Sequence, residues 1–118
     1  MIASEQLWLN VCKIDDLVVN SGVCALVHQD TQKEQQVALF WVPADENKVY
    51  AIGNYDPIGK AHVLHRGLLG SAGGVLFVAS PLYKQRFTLV EGVCLDDPTA
   101  NVPIFPARIS GDDVQLLV

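Results

Sequence analysis

The sequence lacks the features that mark several large classes of protein. No apolar run approaches the roughly 20 residues needed to cross a bilayer, and the first residues, MIASEQLWLN, lack the basic start and long apolar stretch of a signal peptide. The three cysteines, Cys12, Cys24 and Cys94, follow no metal-binding or disulfide spacing. We therefore expect a cytoplasmic chain without membrane spans, whose cysteines are reduced and at least partly buried.

Basic residues are also few. The net charge is -5 at pH 7, which argues against nucleic-acid binding, because such proteins need clustered Lys and Arg to contact phosphates. The acidic residues are scattered over predicted turns. Four of the eight basic residues, in contrast, lie in or beside two loops described below, which points to one end of the molecule: Lys60, Arg66, Lys84 and Arg86.

Motifs of enzyme sites are missing as well. No glycine-rich phosphate loop follows a strand and opens a helix, and no serine lies in a nucleophile elbow. We interpret GSAGG, residues 70–74, as a flexible loop. His62 and His65 could bind a metal with Asp56 or His28 as a third ligand, but bare His-x-x-His pairs are common by chance. We favour packing for one histidine and a contact with solvent or a partner protein for the other.

Apolar residues alternate with polar ones at a period of two along most of the chain. Short segments rich in β-branched and aromatic residues are separated by Gly, Pro, Asn and Asp, and we interpret Trp8 and Trp41 as core residues of such segments. The pattern predicts one all-β domain over residues 1–118, a sandwich or barrel. The predicted strands are residues 7–12, 22–29, 35–43, 48–54, 73–80, 86–92, 102–110 and 114–118.

Two regions depart from the regular alternation. GKAHVLHRGLLG, residues 59–70, could be helical over a short stretch. Pro103 and Pro106 interrupt the predicted strand near the C-terminus. Because proline cannot donate to a central ladder, we expect that strand to be irregular or to lie at a sheet edge.

Two polar loops, each stiffened by a proline, follow predicted strands. NYDP, residues 54–57, ends one strand, and SPLYKQRFTL, residues 80–89, follows another. Tyr55 and Tyr83 lie on these loops, where core packing is a less automatic explanation for an aromatic side chain. Each tyrosine either anchors its loop or contacts something outside the chain.

The two loops resemble those that bind the two-iron, two-sulfur cluster of Rieske domains, where each loop supplies one cysteine and one histidine. NYDPIG matches the first loop in outline, with Asn54 at the cysteine position and Asp56 at the histidine position. SPLYKQRFTLVEG matches the second, with Ser80 at the cysteine position and Tyr83 at the histidine position, followed by RFTL and Gly92. The resemblance implies a Rieske-like fold that has lost all four ligands. Because thiolates hold these irons, we expect no cluster.

Nearly the whole chain resembles the small subunit of the bacterial assimilatory NAD(P)H-dependent nitrite reductases. The shared segments include GVCALV, VALFWV, VYAIGNYDP, VLHRG and SPLYKQRF. The resemblance implies a large subunit that carries flavin, an iron-sulfur cluster and siroheme and that reduces nitrite to ammonium in nitrate assimilation. It further implies that this chain is a cofactor-free subunit, that it is not catalytic alone, and that its partner is the large subunit.

We expect the two loops to lie side by side at one tip, held by hydrogen bonds and packing among Asn54, Asp56, Ser80 and Tyr83. We hypothesise that this tip docks on the large subunit, since buried aromatic and arginine side chains often carry interface energy. The candidate contacts are Leu82, Tyr83, Lys84, Arg86, Arg66 and Lys60.

Two other interpretations stay open on the sequence alone. One is a Rieske-type electron carrier that binds a cluster or metal through non-standard ligands such as His62, His65 and Asp56. The other is a regulatory β-domain unrelated to nitrite. A colourless, iron-free protein would exclude the first, and a large-subunit gene beside this one would argue against the second.

Overall fold

The period-two pattern of the sequence forms short antiparallel strands in the computed structural model, which describes residues 7–46 and 48–118. Single 3-10 turns at Ile14–Asp16 and Leu64–Arg66 are the helical elements of these residues. The strands are β1 Trp8–Lys13, β2 Gly22–Val27, β3 Gln35–Val42, β4 Lys48–Gly53, β5 Tyr55–Asp56, β6 Ala61–His62, β7 Leu68–Ala72, β8 Val75–Ala79, β9 Arg86–Thr88, β10 Ile104–Phe105, β11 Ala107–Ser110 and β12 Asp113–Leu117.

The strands pair into small sheets. One sheet has the order β10-β4-β3-β2, a second has the order β1-β12-β11, and a third has the order β7-β8-β9. Strands β5 and β6 form a hairpin of their own. All pairings between these strands are antiparallel. The two polar loops connect β5 to β6 and β8 to β9, so each loop closes a hairpin.

Strand β3 is covered on both faces, and its side chains alternate between two apolar clusters. Ala38 and Phe40 pack in one cluster with Leu64, Val78 and other buried residues from the hairpin region. Val37 and Leu39, which point the other way, pack in the second cluster with residues of β12. Complete burial of a side chain such as Phe40 stabilises the fold by about 2–3 kcal/mol. The first cluster therefore supports the hairpins that carry the loops.

The predicted strands are confirmed in outline, but one interpretation between them was wrong. The short helical stretch expected within residues 59–70 is a single 3-10 turn, Leu64–Arg66, between β6 and β7. Residues 70–72 belong to β7 and are not a flexible loop, and the turn consists of Gly73 and Gly74 alone, with φ of 57° and 82°. This strand was not predicted because glycine is uncommon in strands. Glycine is required at these positions, because a Cβ atom on Gly67 would meet the backbone of β8 and one on Gly70 would meet the Phe77 ring.

The prolines act as expected near the C-terminus. The predicted strand divides at Pro106 into β10 and β11. Each of these strands lies at the edge of its own sheet, where a residue without a backbone N–H removes no ladder hydrogen bond.

The cysteines and tryptophans occupy more varied environments than the sequence predicts. All three cysteines are free thiols; Cys94 is buried and Cys12 is half-buried. Cys24, on the edge strand β2, is the most exposed of the three, although partial burial still raises the pKa of its thiol. Trp41 packs against the second cluster, whereas Trp8 is half-buried beneath Arg108, whose guanidinium carbon lies 4.0 Å from the centre of the Trp8 ring.

Among the described residues, none belongs to a helix that could span a membrane.

Candidate functional site

The loop between β5 and β6 is a tight turn of residues 56–61, called the first turn below. Asp56 and Ala61 form its closing strand pair. The backbone N–H of Lys60 donates to the Asp56 carbonyl at 2.7 Å, which closes the turn from inside. Pro57 follows Asp56 directly and fixes φ at the start of the turn.

The loop between β8 and β9, residues 80–85, is called the second turn and has the same construction. The Ser80 N–H donates to the Gln85 carbonyl at 2.9 Å, and the Lys84 N–H donates to the Ser80 carbonyl at 2.9 Å. Pro81 lies where Pro57 lies in the first turn. Two hairpins that are separated in sequence therefore have one backbone design.

The side chain that opens each turn caps the backbone of that turn. The Asp56 Oδ1 atom accepts hydrogen bonds from the N–H groups of Ile58 at 2.8 Å and Gly59 at 2.9 Å. The Ser80 Oγ atom accepts a longer bond from the Leu82 N–H at 3.3 Å. Short polar side chains favour such local bonds, which explains why Asp and Ser open these turns.

A buried carboxylate joins the two turns. Ser80 Oγ and Gln85 Nε2 each donate to Asp56 Oδ2 at 2.6 Å. Asp56 and Ser80 are almost completely buried, and Gln85 is 5% exposed. With the two backbone bonds at Oδ1, the carboxylate accepts four hydrogen bonds. We call Asp56, Ser80 and Gln85 the Asp56 clamp.

The hydrogen bonds of the clamp control the charge of Asp56. Burial alone would raise the pKa of this carboxyl group, because desolvation disfavours the charged form. The bonds from Ser80, Gly59, Ile58 and Gln85 outweigh burial, and the pKa lies below its ordinary value. Asp56 is therefore a carboxylate at neutral pH, which is the form that accepts all four donors.

Packing reinforces the clamp. A Cβ atom placed on Gly59 would lie 2.5 Å from Leu82 Cδ1 and 2.8 Å from Asp56 Oδ2. The Leu82 side chain thus covers the first turn at a position where only glycine fits. The two turns lie side by side, as expected.

Asn54 is buried but belongs to a different network. Its Nδ2 donates to Gln36 Oε1 at 3.0 Å and to Cys24 Sγ at 3.7 Å. Its Oδ1 accepts from the His65 N–H at 2.7 Å and faces His65 Nδ1 at 3.0 Å. Because Asn54 Oδ1 can only accept, His65 carries its proton on Nδ1. Burial, followed by the charge of Arg66, lowers the pKa of His65.

The structure thus brings together two of the four positions that the sequence grouped. Asp56 and Ser80 bond to each other, whereas Asn54 bonds to strands β2 and β3 and to His65. Tyr83 projects away, with 71% of its surface exposed.

Apolar and basic side chains surround the turns on the outside. Besides Tyr83, Leu82 is 45% exposed and Tyr55 is 43% exposed. The Tyr55 ring lies 5.0 Å from that of His62 at a tilt of 58°. Lys60, Arg66 and Lys84 are exposed and form no ion pair with any described residue.

Arg86 differs from the other candidate contacts. Its Nη2 donates to Asp96 Oδ1 at 2.8 Å and its Nε donates to Asp96 Oδ2 at 3.2 Å. The guanidinium also lies 5.5 Å from the centre of the Phe77 ring. Arg86 is thus neutralised within the chain, beside the second turn.

Sequence reasoning missed Gln85, Gln36 and Gly59. Gln85 has a faint signal, because the period of two places it on the same side as the buried Phe87. Gln36 has one in the register of the β3–β4 hairpin, which places it opposite Asn54.

The two histidines of the His-x-x-His pair have different neighbours. His62 contacts the Tyr55 ring, and His65 bonds to Asn54. Within residues 7–46 and 48–118, no group of three or more His, Cys, Asp and Glu side chains is arranged to hold a metal ion.

The strand order and the two apposed hairpin turns define a known class of domain. A family model described as a Rieske-like [2Fe-2S] domain matches residues 7–117, and the chain belongs to this family. The nitrite reductase (NADH) small subunit of Salmonella typhimurium is 46% identical over 109 residues, which cover 92% of this chain and 95% of that protein. Within the Rieske-like domains, this chain is therefore a member of the nitrite reductase small-subunit family.

Two further similarities bear on this assignment. The solution structure of a nitrite reductase [NAD(P)H] small subunit from Erwinia carotovora has 41% identity and a TM-score of 0.75, covering 94% of this chain and 81% of that one. A nitrite reductase [NAD(P)H] large subunit of Klebsiella oxytoca is 37% identical over 107 residues, covering 91% of this chain and 10% of that protein.

The residues at the four ligand positions do not fit the cluster of the wider family. They supply an amide, a carboxylate, a hydroxyl and a phenol, but no thiolate or imidazole. Ser80 and Asp56 already bond to each other at 2.6 Å, so their polar atoms are committed within the chain. Two thiolates and two imidazoles bind the irons of a Rieske cluster, and no such set is present here.

Proposed function

We propose that this chain is the small subunit of an NAD(P)H-dependent nitrite reductase in the cytoplasm. In this role it supports the reduction of nitrite to ammonium by a large subunit that carries flavin, an iron-sulfur cluster and siroheme. The observation that carries the proposal is the 46% identity to a nitrite reductase (NADH) small subunit over 95% of that protein. The chain itself is not catalytic, because its tip holds a clamp of buried hydrogen bonds in place of a reactive centre.

The partner in this proposal is the large subunit. The Klebsiella relative supports it, because a stretch similar to this chain is part of a polypeptide named a large subunit. Two domains that occur in one polypeptide in one organism often act together when they are separate chains.

The docking surface in this proposal is the outside of the two turns. Tyr83 and Leu82 expose 71% and 45% of their surfaces on a backbone that the Asp56 clamp holds in place. A rigid, exposed aromatic residue loses little conformational entropy on binding and provides a large contact area. Lys60 and Lys84 belong to the two turns themselves and, with the exposed Arg66, are the polar contacts in this proposal. Arg86 contributes by fixing the start of β9 through Asp96.

The proposal also holds that the chain binds no cluster. The donor set at the four positions and the Ser80–Asp56 bond support this view. Its alternative is an electron carrier with non-standard ligands. Purified protein should be colourless, with iron and sulfide far below stoichiometric amounts by elemental analysis. A visible charge-transfer band with two irons per chain would overturn this part of the proposal.

Copurification with the large subunit tests the docking surface. We expect Tyr83→Ala to weaken binding at least about tenfold, in the range of an aromatic interface contact. Val90→Ala is the matched control, because Val90 is 58% exposed but lies outside both turns. Nitrite-dependent NADH oxidation by the mixed subunits provides the second readout. Unchanged binding by a folded Tyr83→Ala variant would exclude docking through the turns.

A further inference from the structure

Charge is segregated along this chain. Residues 57–90 contain none of the 13 Asp and Glu residues, although they contain four of the eight Lys and Arg residues. They comprise most of both turns and strands β6 to β9. The rest of the chain therefore holds all the acidic residues, and the net charge of the whole is -5.

The cations of this segment differ in how far they are neutralised. Arg86 is paired with Asp96, whereas Lys60, Arg66 and Lys84 have no ion pair with a described residue. Two carboxylates lie at the first turn: Asp56, which is buried in the clamp, and Glu34, which lines one cleft with Tyr55 and other residues of the hairpin. The Glu34 Oε1 atom accepts the Asp30 N–H at 2.9 Å, within its own loop. Three positive charges thus remain unpaired among the described residues, and two of them, Lys60 and Lys84, lie on the turns.

Two of these cations hold an unusual backbone conformation at equivalent positions. Lys60 and Lys84 each end a turn, with φ of 57° and 62°. Glycine adopts this left-handed region without steric cost, and a long side chain there is uncommon. The occurrence of lysine at both equivalent positions points to a role for the side chain.

We propose that Lys60 and Lys84 determine the specificity of docking and that the surface that receives them on the large subunit is rimmed with carboxylates. This inference rests on the proposed function. An acidic partner attracts the basic turns and repels the acidic remainder of this chain, so charge orients the encounter before contact. The exposed Tyr83 and Leu82 then make the apolar contact between the two lysines.

Binding kinetics with purified large subunit test this inference. The association rate should fall at least about tenfold between about 50 mM and about 500 mM salt, because screening shortens the reach of charge. The double variant Lys60→Glu, Lys84→Glu should lower the association rate by at least about tenfold at the lower salt. Lys48→Glu is the matched control, since Lys48 is exposed but lies on β4 outside residues 57–90.

A second pair of variants separates binding from folding. Lys60→Gly with Lys84→Gly removes both charges at positions that suit glycine, so the melting temperature should not fall while the affinity does. A slower association that accompanies a lower melting temperature in every variant would overturn the inference.

The outcomes distinguish this inference from the proposed function. Tyr83→Ala could weaken binding while salt and the lysine variants leave it unchanged. Docking would then be apolar: the inference of a carboxylate rim on the large subunit would be wrong, and the proposed function would stand. If neither set of variants changes binding, both fall. Retention of the chain by duplex DNA, lost in the lysine variants and without large-subunit binding, would also overturn the inference.

Discussion

Residues 56–61 and residues 80–85 can be compared position by position, because both turns close with the same hydrogen bond from a left-handed lysine. At the first position, Asp56 and Ser80 each cap their own turn, but only Asp56 carries a charge that draws the other turn toward it. One turn supplies the acceptor and the other supplies the donors.

The comparison is sharper at the fourth position. Gly59 in the first turn lies beneath Leu82, with no room for a Cβ atom. Tyr83 in the second turn is 71% exposed. The same backbone therefore serves as an inner support in one turn and as an outer surface in the other, and the side chains decide which.

Removal of the central acceptor should have the largest effect on this pair of turns. Asp56→Ala leaves two side-chain and two backbone donors without their partner, and we expect a loss of about 3 kcal/mol in the free energy of unfolding. Ser80→Ala removes one donor and should cost about 1 kcal/mol. Denaturant titrations measure both. Equal losses would show that the carboxylate does not join the turns.

Substitutions at the fourth position, Gly59 and Tyr83, should have the next largest difference in their effects on stability. Gly59→Ala forces Leu82 or the Asp56 carboxylate to move, which should cost about 2 kcal/mol. Tyr83→Ala, the equivalent change in the second turn, should stay within about 0.5 kcal/mol because the site is exposed. Thermal melts of the two variants test the difference. Similar melting temperatures would contradict the inner and outer assignment.

Acid should weaken the clamp by protonating Asp56. Its pKa is lowered in the folded state, so the clamp stabilises the fold fully above the ordinary aspartate pKa, about 3.9. That stability is lost as the pH falls through the folded-state pKa. Wild type should therefore lose more stability than Asp56→Asn between about pH 5 and about pH 2. Asp96 and Asp97 also have lowered pKa values and contribute equally to both proteins. The same loss in the free energy of unfolding with falling pH in both proteins would exclude this role of Asp56.

The left-handed lysines should have only a small effect on stability. Replacing either Lys60 or Lys84 with glycine relieves backbone strain but adds freedom to the unfolded chain, so the two changes should nearly cancel, within about 1 kcal/mol. Glu46→Gly, at a φ of 55° in another turn, is the matched control. A large loss at the lysines alone would show that their side chains pack within the fold.

The sequence predicted the strands and the existence of the two turns, because period-two alternation and Pro57 and Pro81 are local signals. It did not predict β7, because Gly70 and the small residues after it lack the β-branched character that marks a strand. It placed Asp56 and Ser80 together only through the family resemblance.

The partners of the site were harder to predict. Gln85 reaches Asp56 across 29 positions, and Asn54 reaches Gln36 across 18. The first pair depends on how two hairpins pack together, which local patterns do not encode, whereas the second depends on the register of neighbouring strands β3 and β4. The exposure of Tyr83 followed from its place on a loop, whereas the neutralisation of Arg86 depended on Asp96 in a later loop.

The Asp56 clamp also affects how the protein is made. The groups that join the two turns all belong to the chain, so the tip is complete as soon as folding ends. In the cluster-free protein that we propose, the tip needs no delivery of iron or sulfide by other proteins, and chelators or oxidants that dismantle an iron-sulfur cluster have nothing to remove from this joint. Its assembly depends only on a carboxylate that is charged at neutral pH.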